Sequence, residues 1–166
     1  MGDMMKDSIE VRRYKERAHY DKETLYKILD NSLFCTISFC EKGTPFSIPM
    51  NFTRIDEYIY IHGSCETRII KILGQGVEAS VSITIPGNPV ISKKLCDYSM
   101  NYSSSIIFGK FEPVNDKNEK LNFFIQMAKK FNPNDWENSE IPQEKDLENV
   151  CVLKMKLKDF SSKIRI

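Results

Sequence analysis

The segment 58–68, YIYIHGSCETR, carries the residue types best suited to binding a phosphate. It alternates like a strand and then, from Gly63 onward, takes on the small and polar residues that precede a helix. The first turn of a helix presents unpaired backbone N–H groups, and Ser64, Thr67 and Arg68 would add hydroxyl and guanidinium donors beside them. A phosphate site is therefore one hypothesis for this junction, and simple capping of the helix by Ser64 is the other.

A second polar feature interrupts an apolar strand at Pro49, Met50 and Asn51. Because proline has no N–H to give to a sheet, Pro49 indicates an edge strand, a bulge or a backbone that faces a ligand. Free backbone groups together with the Asn51 amide could hold the rim of a flat polar ring. Asparagine in such a strand is more often structural, so both interpretations stand.

His62 and Cys65 are the candidate reactive groups of the first segment. A neutral imidazole beside the site could relay a proton, whereas a structural histidine at a strand end is the commoner case. Cys65 could have a lowered pKa near a helix start, whereas an inert, half-buried thiol is again commoner. The five cysteines contain no C-x-x-C pair and predict reduced core thiols, and two histidines in the whole chain predict no metal site.

Hydrophobic periodicity predicts the elements that must position these residues. Their order is helix, three strands, short helix, strand, connection, strand, helix, strand. The predicted helices are Asp21–Asn31, Ser64–Leu73 and Asp116–Phe131, and the predicted strands are Leu33–Cys40, Phe46–Thr53, Tyr58–His62, Val77–Ile85, Tyr102–Phe111 and Val150–Leu157. The first three strands are joined by tight turns and predict an antiparallel meander. So many antiparallel strands with few helices indicate a mainly β fold, specifically a small barrel.

Local signals complete this outline. Asp21 and Asp116 are typical helix N-caps. The longest predicted helix, Asp116–Phe131, is expected to bury one side, made of Leu121, Phe124, Ile125 and Ala128. A connection that contains proline and glycine is expected from Pro86, and the polar stretch 132–149 predicts a loop.

Composition limits the classes of partner. The 166 residues predict one domain, and 24 Lys+Arg against 23 Asp+Glu leave a net charge of +1. Proteins that coat nucleic acid or anionic membranes are normally far more basic, so neither partner is expected. Residues 1–6 lack a secretion signal and no apolar run is long enough to span a bilayer, which predicts a cytoplasmic protein with a solvated arm over residues 1–20.

Several segments, taken in chain order, are similar to those of the FMN-binding split barrels related to pyridoxamine 5'-phosphate oxidase, and in particular to the nitroimidazole-resistance branch of that family. The matching segments are Arg12–Arg17, Gly43–Phe52, Tyr58–Ser64, Asn101–Ser104 with Gly109, and the terminal Lys163. Each motif alone is unspecific. Five of them in the family's order are hard to obtain by chance.

The resemblance implies a six-stranded antiparallel split barrel with flanking helices over residues 1–166, working as a homodimer with FMN at the subunit interface. The flavin ring would meet Pro49, Met50 and Asn51. The phosphate would meet Ser64, Thr67 and Arg68. Three neighbouring residues, His62, Gly63 and Lys71, are further candidates for cofactor binding. Tyr102 and Ser104, with Lys163, would close the site, and the strand that carries Tyr102 and Ser104 is expected to come from the partner subunit.

One departure from the family pattern bears on affinity. Ile69 stands where the family commonly has a lysine. Loss of one charge-assisted contact to the phosphate would weaken FMN binding roughly tenfold to a hundredfold. Other cations, Arg12 or Lys163, are candidates to replace that contact.

The implied activity is a flavin-dependent oxidoreductase that passes electrons from a reduced nicotinamide or similar donor to a small-molecule substrate such as a nitroaromatic acceptor. The family's true pyridoxamine 5'-phosphate oxidases carry a C-terminal signature rich in Arg, Trp and His that binds the substrate phosphate. In this chain Trp136 lies in a loop-like stretch and no histidine follows His62, so that exact reaction is disfavoured. A non-enzymatic flavin- or haem-binding stress protein or sensor is the alternative on the same barrel. A barrel that has lost its cofactor and serves as a dimeric scaffold is a third.

Overall fold

A computed structural model describes residues 9–148 and 150–166 of the chain. Its strands are β1 (Ala18–His19), β2 (Phe34–Glu41), β3 (Thr44–Asn51), β4 (Thr53–Ile55), β5 (Tyr58–Ser64), β6 (Glu78–Val90), β7 (Ser99–Lys110), β8 (Glu112–Pro113), β9 (Val150–Lys156) and β10 (Asp159–Arg165). Its α-helices are α1 (Lys22–Asp30), α2 (Arg68–Leu73), α3 (Lys117–Phe131) and α4 (Glu144–Glu148). Short 3-10 helices lie at Lys15–Arg17, Leu95–Asp97 and Trp136–Asn138.

The strands form two antiparallel sheets that enclose one apolar core. A six-stranded sheet has the order β1-β10-β7-β6-β2-β3, and a four-stranded sheet has the order β4-β5-β9-β8. Ile37 and Ile107 of the first sheet and Ile59 of the second are fully buried in the same cluster, which α1 and α2 complete. This confirms the predicted mainly β split barrel with flanking helices.

The hairpin of β2 and β3 follows its sequence pattern closely. Lys42 and Gly43 have positive φ angles of 49° and 81°, as a two-residue type I′ turn requires. Strand β3 lies at the edge of the six-stranded sheet, which explains how it accommodates Pro45 and Pro49. The edge strand predicted from Pro49 is thus confirmed.

The predicted meander is wrong in one respect, because the third strand does not pair with the second. The chain leaves the six-stranded sheet after Asn51 and begins β4, in the other sheet, at Thr53. Phe52 lies between them and is fully buried. An alternating pattern cannot distinguish one strand from two that meet at a buried residue.

The connection predicted from Pro86 is also wrong, since β6 continues to Val90. Pro86 pairs with Tyr102 and Pro89 with Met100, and an irregularity in register lies between them. That irregularity lets both prolines stay within the ladder. The hairpin of β6 and β7 therefore extends well beyond its neighbours.

Strand β10 gave no sequence signal, and the prediction ended the sheets at Leu157. Phe160 and Ser162 both face inward, but only Phe160 is apolar. The strand therefore lacks the apolar residue at every second position by which a strand is normally recognised. Ser162 is buried beside Ser105 of β7, and their hydroxyl oxygens are 2.7 Å apart. The two hydroxyls form one hydrogen bond with each other, so neither is buried without a partner.

Helix ends were predicted better than helix faces. The N-caps are confirmed, because Asp21 accepts from the Thr24 N–H and Asp116 from the Glu119 N–H, each at 2.8 Å. The predicted buried side of α3 is incomplete. Phe124 packs against the buried cluster and the other three expected residues are half-buried, but the fully buried residue is Phe123. Because α3 has apolar residues on more than one side, its sequence does not show which side packs against the sheet.

The stretch 132–149 is not all loop, because it contains the last 3-10 helix and α4. Asn149 and the first part of the arm, residues 1–8, lie outside the described residues. Within the described part of the chain, no helix has the length and apolarity needed to cross a membrane.

Lys130 ties α3 to the point where the chain changes sheets. Its Nζ donates to the carbonyl oxygens of Leu29, at 3.0 Å, and Phe52, at 3.3 Å. The same ammonium lies 3.9 Å from the centroid of the Phe52 ring. Burial lowers the pKa of Lys130 to about 8.

This lowered pKa predicts a rise in stability at alkaline pH. In the unfolded chain a lysine keeps a pKa of about 10.4, so between about pH 8 and 10 the unfolded state holds more protons than the folded state. The free energy of unfolding should therefore increase over that range, and Lys130→Met should remove the increase. Urea denaturation at several pH values measures it, with the exposed Lys129→Met as the control. An equal increase in the Lys130 variant would contradict the assignment.

Candidate functional site

The junction after β5 differs from its predicted geometry. Helix α2 begins at Arg68 rather than at Ser64, and its N-cap residue Thr67 makes no side-chain cap. The Thr67 hydroxyl donates instead to the Ser64 carbonyl at 2.8 Å, and the Glu66 N–H donates to the Ser64 hydroxyl at 3.3 Å. Ser64 therefore shapes the turn and does not cap the helix.

Arg68 lies over the hairpin of β2 and β3. Its guanidinium is 5.0 Å from the centroid of the Phe46 ring, and its Nε is 3.7 Å from a carboxylate oxygen of Glu41. The side chain is 61% exposed, so this ion pair is weak. Arg68 is thus a nearly uncommitted cation beside the strand that carries Pro49 and Asn51.

Those two residues lie on the outward face of the six-stranded sheet. Pro49 and Asn51 are exposed, whereas Met50 points inward and packs against the core. Asn51 follows Phe46 by five residues, or roughly 17 Å of strand. Phe46 points inward like Met50, so Arg68 lies on the inner side near one end of β3, whereas Asn51 lies on the outward face at the other end.

The outward face near Pro49 is built mostly from serine and threonine side chains, with Phe34, Ile106 and Phe108 among them. Pro49 pairs with Thr36, Thr36 with Ser82, and Ser82 with Ile106 in one row across four strands. The neighbouring rows contribute Ser38, Ser47, Ser80, Thr84 and Ser104. None of these side chains is charged, so a planar ring or another sheet could lie against this part of the face.

Tyr102, Ser104 and Lys163 lie further along the same sheet. Ser104 pairs with Thr84 and with Lys163, and Tyr102 pairs with Arg165. The Lys163 Nζ donates to the Arg13 carbonyl at 2.9 Å. Lys163 thereby holds the N-terminal arm against β10.

The arm places further positive charge at that end of the sheet. The ring of Tyr14 has Arg13, Arg17 and Lys163 at 4.9, 4.2 and 5.5 Å from its centroid. Tyr14 itself has a left-handed backbone, with φ at 57°. The charge pattern predicted a solvated arm. The side chains of residues 12–16 are indeed exposed, and the arm is also held to β10 through Lys163.

His62 lies elsewhere, on the side of β5 that faces α3. Its ring is 5.5 Å from the ring centroids of both Phe123 and Phe124, and burial lowers its pKa. Its Nδ1 is buried and has no hydrogen-bond partner among the described residues. His62 is a neutral imidazole in an aromatic cluster, on a different sheet from Pro49 and Asn51.

Gly63 and Lys71 serve local contacts. A side chain at Gly63 would place its Cβ 3.1 Å from Ile70, so glycine lets β5 approach α2 closely. The Lys71 Nζ is 2.5 Å from a carboxylate oxygen of Glu66. Neither residue touches the outward face in the contacts described.

Sequence reasoning missed two features near this site. Cys65 and Cys151 form a disulfide, which corrects the expectation of reduced thiols, and Cys40 and Cys96 are exposed rather than buried in the core. The two bonded cysteines are 86 residues apart and gave no pairing signal. Over residues 9–148 and 150–166, no three His, Cys, Asp or Glu side chains are grouped as metal ligands.

A polar network behind β5 was missed as well. The Tyr60 hydroxyl donates to a Glu119 carboxylate oxygen at 2.8 Å, and the Lys154 Nζ donates to the same oxygen at 2.8 Å. Burial and that carboxylate raise the pKa of Tyr60. The network joins α3 to the four-stranded sheet.

Two sheets around one core, with a neutral outward face and helices at the rims, define a split β-barrel. The family model for pyridoxamine 5'-phosphate oxidase matches residues 21–164. The chain belongs to this flavin-binding family. No curated protein sequence matches it.

Solved structures agree with that assignment. The flavocytochrome Anf3 from Azotobacter vinelandii is 28% identical, with a TM-score of 0.85 over 96% of this chain and 74% of its own. The FAD and heme binding protein from Mycobacterium smegmatis is 25% identical, with a TM-score of 0.84 over 89% of this chain and 73% of its own. A candidate 5-nitroimidazole antibiotic resistance protein from Bacteroides thetaiotaomicron VPI-5482 shares the fold at 22% identity, with a TM-score of 0.74 over 89% of this chain and 86% of its own.

The buried hydroxyl pair of Ser105 and Ser162 fixes the register that places Ser104 opposite Lys163. Ser105→Ala should lower the free energy of unfolding by about 1 to 3 kcal/mol, because the Ser162 hydroxyl would stay buried without a partner. The double variant with Ser162→Ala should recover most of that loss. Urea denaturation of the complete cycle measures the coupling.

The exposed hydroxyl pair of Ser38 and Ser47 provides a matched control. Ser38→Ala leaves a hydroxyl that water can reach, so its effect on unfolding should be close to zero. Strictly additive losses at Ser105 and Ser162 would contradict the role given to the buried pair.

Proposed function

We propose that the chain binds FMN along β3, in a homodimer, and passes electrons from a reduced nicotinamide or similar donor to a small acceptor such as a nitroaromatic compound. The observation that carries this proposal is the edge strand β3, which has the exposed Asn51 at one end and the cation of Arg68 over Phe46 near the other end. Membership of the flavin-binding family supports the choice of cofactor.

The residues present fit a flavin mononucleotide. Pro49 and Asn51 would hold the rim of the ring, because an edge strand offers unpaired backbone groups and Asn51 adds an exposed amide. At the other end Arg68 would take the phosphate, since a planar guanidinium can bind two phosphate oxygens at once. Its distant contact with Glu41, at 3.7 Å, is weak enough for a phosphate to displace.

A second copy of the chain would complete this site. Ile106 and Phe34 are 43% and 64% exposed on the neutral face, where a soluble monomer gains nothing from them. A partner subunit laid against this face would cover them and exclude water from the flavin ring. Tyr102 and Ser104 of the partner subunit are proposed to close the site.

The chemistry of hydride and electron transfer is supplied by the bound flavin. The chain's own residues bind and orient it, through Arg68 at the phosphate and Pro49 with Asn51 at the ring. His62 is not assigned a proton-transfer role here, because it is packed between Phe123 and Phe124 on the other sheet. We assign it to the packing of α3 against β5.

Flavin titration tests the phosphate contact. Arg68→Ala should raise the dissociation constant for FMN roughly tenfold to a hundredfold, since one charge-assisted contact is lost. Arg68→Lys, which keeps the charge without the fork, should show a smaller rise. Quenching of flavin fluorescence measures binding, and Lys27→Ala on α1 is the control. An unchanged constant in Arg68→Ala would refute the assignment, and no quenching by the wild type would favour the scaffold alternative.

Redox titration tests the activity. Under anaerobic conditions NADH or NADPH should bleach the flavin absorption of the purified protein, and a nitroimidazole should restore it with concomitant reduction of the nitro group. Absorption spectra and product analysis follow both steps. A flavin that neither nucleotide bleaches, or that no acceptor reoxidises, would overturn the enzyme proposal.

A flavin- and haem-binding electron carrier or sensor is the second candidate function. It is favoured by two neighbours at 28% and 25% identity that are named for flavin together with haem. Titration with haemin distinguishes the two candidates. A sharp Soret band at one equivalent, in a protein that shows no turnover, would favour the carrier. A protein that turns over and gives no such band would favour the oxidoreductase.

A further inference from the structure

The disulfide between Cys65 and Cys151 lies in the wall of a cleft. It joins the turn before α2 to the start of β9, with the two Cα atoms 5.1 Å apart. Both cysteines are half-buried and line a cavity of about 270 Å³. Exposed disulfides are more labile than buried ones, and both cysteines of this pair are partly exposed.

The other walls give the cleft a positive and partly apolar character. Lys71 and Lys120 both line it, and Pro113 and Val114 form an apolar side. None of the described residues that line the cleft is acidic, and the nearest carboxylate in the contacts described is the Glu66 partner of Lys71. Lys120 is held by the carbonyl oxygens of Leu147 and Val150, at 3.3 and 3.2 Å. A small molecule with carboxylate groups and a short apolar stem would match these walls.

We propose that this cleft is a thiol–disulfide exchange site for a low-molecular-weight thiol that carries carboxylate groups. A nearby cation favours the thiolate form of an incoming thiol and of the cysteine that leaves. Lys120, together with Lys71, whose charge is shared with Glu66, supplies positive charge in the cleft that contains the disulfide. The site lies apart from the outward sheet face and does not depend on flavin.

The exchange balances in two steps. A thiolate of the small molecule attacks one sulfur of the Cys65–Cys151 pair, which forms a mixed disulfide and releases the other cysteine as a thiolate. A second thiolate attacks the mixed disulfide, which releases the oxidised small-molecule dimer and the second cysteine thiolate. Both thiolates then take up protons from water. Two small thiols are thereby oxidised, and the protein disulfide is reduced to two thiols.

Alkylation of the folded protein tests the proposal, with glutathione as the anionic thiol and β-mercaptoethanol as the neutral one. After incubation, iodoacetamide labelling and peptide mass spectrometry should find Cys65 and Cys151 newly labelled. Cys40 and Cys96 are exposed and should label throughout, whereas the thiol of buried Cys35, whose pKa burial raises to about 12, should label only after unfolding. If Cys65 and Cys151 also label only after unfolding, the proposal is wrong.

Two variants test the chemistry and the charge. Cys151→Ser should trap a glutathione adduct on Cys65 when glutathione disulfide is added. Lys71→Gln should slow reduction by glutathione about two- to fivefold more than reduction by β-mercaptoethanol, because only glutathione has carboxylates for Lys71 to attract. Lys27→Gln, which removes an exposed lysine paired with Glu23 on α1, is the matched control. Equal slowing with both thiols, or no adduct on Cys65, would overturn the proposal.

Discussion

Phe52 occupies the point at which the chain leaves one sheet and enters the other. Its ring is fully buried in the main core, and its carbonyl oxygen accepts a hydrogen bond from Lys130. Because the strands on either side of it belong to different sheets, this residue fixes the edge position of β3. The edge position in turn leaves Pro49 and Asn51 unpaired on one side. The candidate cofactor site thus depends on a buried side chain that never touches it.

Sequence patterns predicted those parts of the fold in which one local signal dominates. The type I′ turn at Lys42 and Gly43, the caps at Asp21 and Asp116, and the edge proline each follow from a single residue type in a fixed position. The turn after β5 was placed correctly, but the helix that follows it was predicted to begin four residues early. Small polar residues favour turns and helix starts alike, so the boundary was weakly specified.

The remaining features depend on contacts between distant residues. Strand β10 is held by a buried pair of serines, and serine carries no apolar period for a sequence pattern to detect. The disulfide joins residues that are neighbours only because β5 pairs with β9. The alternation along β5 places His62 in the strand, but the pattern could not show that α3 covers the side of the strand that His62 faces. In each case the missing information was the partner, which tertiary structure alone supplies.

The distribution of positive charge connects the two sites of the molecule. The net charge is +1, and several of the cations behind it are hydrogen-bonded to specific neighbours. Lys130 donates to carbonyl oxygens, Lys154 to Glu119 and Lys163 to the N-terminal arm. Arg68 differs because its carboxylate partner is 3.7 Å away and its side chain is mostly exposed. Three residues further along α2, Lys71 lines the cleft beside the disulfide. One short helix therefore carries a basic residue at each place, Arg68 over β3 and the Glu66-paired Lys71 in the cleft.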